Sequence, residues 1–84
     1  MTHFWPEGKL IQVEADALWT PLHLTWDGGR HPVQVILDRW RVDEDWWRER
    51  VWREYFQLTT RTGLLVEVFH DLTAGEWYVQ RVYD

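Results

Sequence analysis

Two groups of residues in this chain have the types and spacing for chemistry at a surface. The first is the run Trp46-Trp47-Arg48-Glu49-Arg50-Val51-Trp52-Arg53. Tryptophan and arginine are the side chains that most often anchor protein–protein interfaces, so Trp46, Trp47, Arg48, Arg50 and Arg53 are the candidate partner-binding residues. The second group is Tyr55, Phe69 and Tyr78, which a β-meander would bring side by side. Unpaired bases stack on such aromatic rows, and Arg39 and Arg41 would hold the phosphates of a single strand. The same row also reads as structure, covered by Trp40, Trp46 or Trp47 folding over the sheet.

Other chemistry finds little support in the residues. The four histidines, His3, His23, His31 and His70, have no metal-ligand spacing, and there is no cysteine to offer a thiolate. No glycine-rich phosphate loop is present, because Gly28-Gly29 is accounted for by turn geometry. The carboxylates of Asp43-Glu44-Asp45 and Asp71 read as turn residues, whose side chains bond their own backbone. The expectation is therefore a protein that is not an enzyme and that needs no metal or other cofactor.

The totals narrow the classes further. At 84 residues the chain makes one small domain, and its eight tryptophans supply bulk that so short a core otherwise lacks. The net charge of −5, from nine Lys plus Arg against fourteen Asp plus Glu, argues against a dedicated duplex-DNA binder. Five of the eight arginines lie between Arg39 and Arg53, but Asp38, Asp43, Glu44, Asp45, Glu49 and Glu54 share that window, so a self-paired surface is expected there. No apolar run approaches the ~20 residues of a membrane span, and no leader pattern opens the chain; it reads as soluble and cytoplasmic.

The elements that must position these residues are strands. From Glu54 onward the sequence reads as a three-stranded antiparallel meander with turns at Thr60–Leu64 and Asp71–Glu76, each closed by a glycine. These turns set Leu58 opposite Val66, Phe56 opposite Val68, Phe69 opposite Tyr78 and His70 opposite Trp77. One face then carries Phe56, Leu58, Leu64, Val66, Val68, Trp77, Val79 and Tyr83 as core. The other carries the row Tyr55–Phe69–Tyr78 beside a polar row, Gln57–Glu67–Gln80. A second hairpin runs from Leu22 to Leu37 about a Gly28-Gly29 turn, pairing Trp26 with His31, Leu24 with Val33 and Leu22 with Val35.

The apolar parity switches after Leu37, which calls for a bulge or bend near Asp38-Arg39. Asp43-Glu44-Asp45 reads as an acidic turn, followed by an extended segment into a strand over 52–59. Residues 1–8 read as an irregular N-terminal arm, and 9–84 as a single small β domain whose first strand covers 9–15. Six short strands predict an all-β fold, a small antiparallel barrel or strongly bent sheet that ends in the meander.

The runs P-L-H-L-T-W-D-G-G-R-H-P-V (21–33), D-R-W-R (38–41), W-W (46–47), R-E-Y-F (53–56), G-L-L-V-E-V-F-H-D (63–71) and G-E-W-Y-V-Q-R-V-Y-D (75–84) resemble a small bacterial Trp-rich domain family. A similar module closes the C-terminal end of ImuB-like relatives of the Y-family polymerases. The resemblance covers roughly residues 9–84 and brings no catalytic residue with it. It implies an adaptor of translesion synthesis, with a DNA-repair polymerase or accessory factor as partner. The expected function is thus a non-catalytic protein-interaction module, with a single-stranded nucleic-acid-binding domain as the alternative and a structural domain that pairs with itself through an exposed edge strand as a third reading. Nothing in the residues sets the oligomeric state.

Overall fold

The computed structural model describes residues 2–46 and 49–83, with the side chains of all of these except Trp46 and Glu49. Six antiparallel strands form a closed ring of hydrogen bonds: β1 (His3–Ala15), β2 (Pro21–Trp26), β3 (Gly29–Trp46), β4 (Glu49–Thr60), β5 (Leu65–Asp71) and β6 (Glu76–Tyr83). The described residues contain no helix. Each strand pairs with the next, and β1 closes the ring by pairing with β6 through its first half and with β2 through its second. The ring is not an even barrel, because β3 and β4 run on together well past the strands beside them.

The meander forms in the expected register, with Phe56 opposite Val68, Leu58 opposite Val66, Phe69 opposite Tyr78 and His70 opposite Trp77. Alternate residues of β4, β5 and β6 point inward, so Phe56, Leu58, Val66, Val68, Trp77 and Val79 meet Ile11 and Leu24 in one core. Tyr83 does not join them. A bulge at Gln80 sets Val79 opposite Val68 but Arg81 opposite Glu67, and Val82 takes the buried position. Strict alternation from Trp77 would have turned Arg81 into the core. The extra residue flips the rest of the strand, so the polar row is Gln57–Glu67–Arg81 with opposite charges facing each other.

The β2–β3 turn is Asp27-Gly28 rather than Gly28-Gly29. Both residues take left-handed angles, φ 50° and 75°, as a type I′ hairpin requires, and Gly29 already pairs with Trp26. The register therefore slips by two residues, and Leu24 faces His31 instead of Val33. An even slip leaves the paired side chains Leu24, Trp26 and His31 together on one face, as expected. With no side chain on Gly29, the Trp26 ring lies across to stack on His31 at 4.2 Å.

Strand β3 carries two irregularities, at Gln34 and at Leu37, the second adjoining the bend expected at Asp38-Arg39. They turn Val33 and Ile36 inward and leave Val35 and Leu37 outside, 48% and 54% exposed. Asp43-Glu44-Asp45 is not a turn: it is strand, paired with Trp52, Val51 and Arg50. The extended reading of the following segment holds from Glu49 onward, where β4 begins.

Residues 3–8 are not an irregular arm, since β1 begins at His3 and pairs with Val82 and Arg81. Between Phe4 and Lys9 the pairing to β6 is irregular, and there the chain crosses the outer face of the meander. Gly8, at φ +82°, lies so close that a Cβ would stand 2.8 Å from Tyr78 Cβ and 2.9 Å from the Phe69 ring.

Candidate interaction surface

Past residue 32 strand β3 has a hydrogen-bonded neighbour on one side only, β4, among the described residues. β5 accompanies β4 no further than the Arg53–Asp71 pair. The ends of β3 and β4 therefore stand out from the ring as a two-stranded ribbon with open edges. Such a ribbon is marginal by itself, so its root must be held.

Glu54 holds it. Its parity with Phe56 and Leu58 turns it inward, where it is 6% exposed. Its two oxygens accept from Arg39 at 2.6 Å and from Arg41 at 3.1 Å, both on the facing stretch of β3. Arg39 also donates to Thr20 Oγ1 and to the carbonyl of Leu18, each at 3.0 Å, which ties the ribbon to the β1–β2 loop. Burial opposes ionisation of Glu54, but the hydrogen bonds and charges of the two arginines outweigh it and hold the carboxyl below its ordinary pKa. Further out, Arg50 bridges to Asp43 at 3.2 Å and lies over Trp52 at 4.8 Å.

His70 is the strand partner of Glu54. Its ring stacks on Trp77 at 4.3 Å and lies under Trp19 at 5.2 Å. Trp19 takes a left-handed φ of 62°, in a loop where the Asp16 carboxylate accepts from the N–H groups of Leu18 and Thr20. Burial pushes the His70 pKa down, against the pull of the Glu54 and Asp71 carboxylates.

The shift has a definite sign for stability. With a pKa below the ordinary 6.5, folded His70 binds fewer protons than unfolded His70. Stability from this group is therefore complete above pH 6.5 and lost as the pH falls toward the lowered value, while Glu54 adds its own acid loss below 4.5. The melting temperature should fall as the pH drops below 6.5. His70→Phe, which keeps a ring between the tryptophans, should flatten that limb. A slope unchanged in the variant would assign the acid loss to another group.

The candidate residues divide between the two faces. Tyr55, Phe69 and Tyr78 do form a row, with centroids 5.2 and 5.0 Å apart, and Trp40 extends it by stacking on Tyr55 at 5.3 Å. The row is covered at its centre, where Phe69 is 1% exposed. Among the described residues its cover is the backbone at Gly8 and the Arg53 guanidinium, 4.4 Å above the ring, while Trp40 stacks on the Tyr55 end of the row. Arg39 and Arg41 lie on the opposite face, engaged with Glu54. Arg50 and Arg53 point to opposite faces of β4, and Arg53 donates to the Tyr55 hydroxyl. Trp47, Arg48 and the side chain of Trp46 lie outside the described residues. Among the described residues no cluster of three His, Asp or Glu side chains could hold a metal.

No family model, no curated protein and no solved structure matches the chain. The site therefore stands on its own geometry. Sequence reasoning passed over Glu54, His70 and Trp19, and raised an exposed edge strand without giving its extent. The alternation through Phe56 and Leu58 already turned Glu54 inward, which was the available signal. The extent of the open edge left none, because it depends on how far β2 follows β3.

Proposed function

We propose that this domain is a non-catalytic protein-interaction module that takes up a partner strand along the open edge of β3. The observation that carries this reading is the one-sided pairing of β3 past residue 32, in a stretch that leaves Val35, Leu37 and Trp40 exposed. An open strand edge offers a row of free N–H and C=O groups, and apolar side chains along it give a bound strand its pockets. Leu18, whose carbonyl is tied to Arg39, adds an exposed apolar group beside the same stretch. Trp46, Trp47 and Arg48 keep their candidate role as anchors. The class of partner, a DNA-repair polymerase or accessory factor, rests on the sequence resemblance alone.

The single-strand reading has less support. A base cannot stack on Phe69 while Gly8 and Arg53 cover it, and Arg39 and Arg41 face away from the row. To test the edge reading, Val35→Lys/Leu37→Lys should be compared with the wild type in affinity capture from bacterial extract. The captured protein would be identified and then titrated in purified form. The double variant should keep its melting temperature and lose at least about tenfold in affinity, since lysines along an edge oppose strand addition. Equal affinity would remove the edge from the interaction.

A further inference from the structure

The outer stretch of β3 reads Arg39-Trp40-Arg41-Val42-Asp43-Glu44-Asp45, and it complements itself. Resting on the edge reading above, we infer that a second copy of this chain pairs with it here, β3 against β3 in antiparallel register centred on Val42. Cross-strand partners then share a face about a two-fold axis perpendicular to the sheet. Arg39 of each copy meets Asp45 of the other, Arg41 meets Asp43, Trp40 meets Glu44, and Val42 meets itself.

All four charged pairs on the Glu54 face are attractive, and no like charges stand opposite on either face. Neighbouring registers lack this property. Centring on Arg41 or Asp43 sets that residue against its own copy. Centring on Trp40 sets Arg39 against Arg41, and centring on Glu44 sets Asp43 against Asp45. Like charges directly opposite are destabilising, so one register is selected.

The side chains needed for it are available. Glu44 and Asp45 are exposed. Arg41 spends one nitrogen on Glu54 and is otherwise half in solvent. Asp43 would share itself between Arg50 of its own chain and Arg41 of the second copy. Pairing would cover the edge of each copy whenever no other strand occupies it, as proteins with long edges commonly require.

Cysteine crosslinking reads the register directly, because the chain has no cysteine of its own. In the proposed pair the two Val42 positions stand about 5 Å apart at Cα, within disulfide reach. The two Glu44 positions are offset by four residues, about 13 Å, and out of reach. Val42→Cys should therefore form a disulfide dimer under mild oxidation while Glu44→Cys stays monomeric. Asp45→Arg, at an exposed position, should weaken the dimer measured by sedimentation about tenfold at low salt and less at high salt.

A chain that sediments as a monomer at its highest soluble concentration, with Val42→Cys no more reactive than Glu44→Cys, overturns self-pairing. So does a dimer indifferent to both substitutions, which must use another surface. Strand addition itself is judged separately: if Val35→Lys/Leu37→Lys still loses an identified partner while the chain is monomeric, only the identity of the second copy is wrong.

Discussion

Gly8→Ala is expected to destabilise the fold by roughly 2–5 kcal/mol, although the residue lies in a stretch whose composition reads as a loose arm. Two costs add. A left-handed φ of +82° disfavours any Cβ by about 1–2 kcal/mol. The added carbon would also stand 2.8–2.9 Å from Tyr78 Cβ and the Phe69 ring. Neither neighbour can retreat, since Phe69 is pinned between Tyr55, Tyr78 and the Arg53 guanidinium. Relieving the overlap means lifting β1 from the sheet or tilting the row, at about 1–3 kcal/mol.

Gly63→Ala is the control, because Gly63 shares the left-handed conformation at φ +92° but has open space around it. Urea denaturation followed by tryptophan fluorescence gives both values, and their difference isolates the packing term. Equal costs would mean that the row is not covered at Gly8. For a domain this small, stable by roughly 5–8 kcal/mol in the usual range, the loss is a large fraction of the total.

Glu54→Gln should cost about 1.5–3 kcal/mol, less than the ~3–5 kcal/mol of a fully buried pair. The reduction follows from the arginines, whose side chains are 38% and 56% exposed and so remain partly solvated. Removing the carboxylate leaves two guanidinium groups without the acceptor they share, Arg39 lying 4.9 Å above the Phe56 ring. The loss should be local as well as global. Amide exchange in residues 40–46 and 49–52 should accelerate more than in β5 or β6, because the ribbon loses its tie to the ring. Glu54→Leu/Arg39→Met/Arg41→Met should recover most of the stability, since an apolar replacement of the whole set leaves no charge unpaired. If the triple variant is no more stable than Glu54→Gln, the arginines contribute through packing rather than through the carboxylate.

The meander shows how much a sequence can carry. Two glycine turns of defined length, with apolar alternation on either side, set the register of β4, β5 and β6 from Phe56 to Val79. They brought Tyr55, Phe69 and Tyr78 into one row, and they turned Glu54 inward beside Phe56 and Leu58. These are local properties, since turn length and a two-residue period bind neighbours in the chain. The bulge at Gln80 was also partly legible, because unbroken alternation would have buried Arg81.

What the residues could not display was anything decided by elements far apart in the chain. Whether Phe69 was a platform or an interior residue depended on Gly8, which reaches it only because β1 returns to close the ring against β6. Asp43-Glu44-Asp45 has the composition of a turn, yet it is strand because Arg50, Val51 and Trp52 lie opposite and Arg50 answers Asp43. The open edge of β3 arises because β2 stops after six residues while β4 follows for twelve. Alternation and turn chemistry alone thus determined an all-β chain, its meander and its inner face. Ring closure decided which aromatic surface is covered and which strand edge is left open, because both depend on the lengths and crossing points of strands that meet only in space.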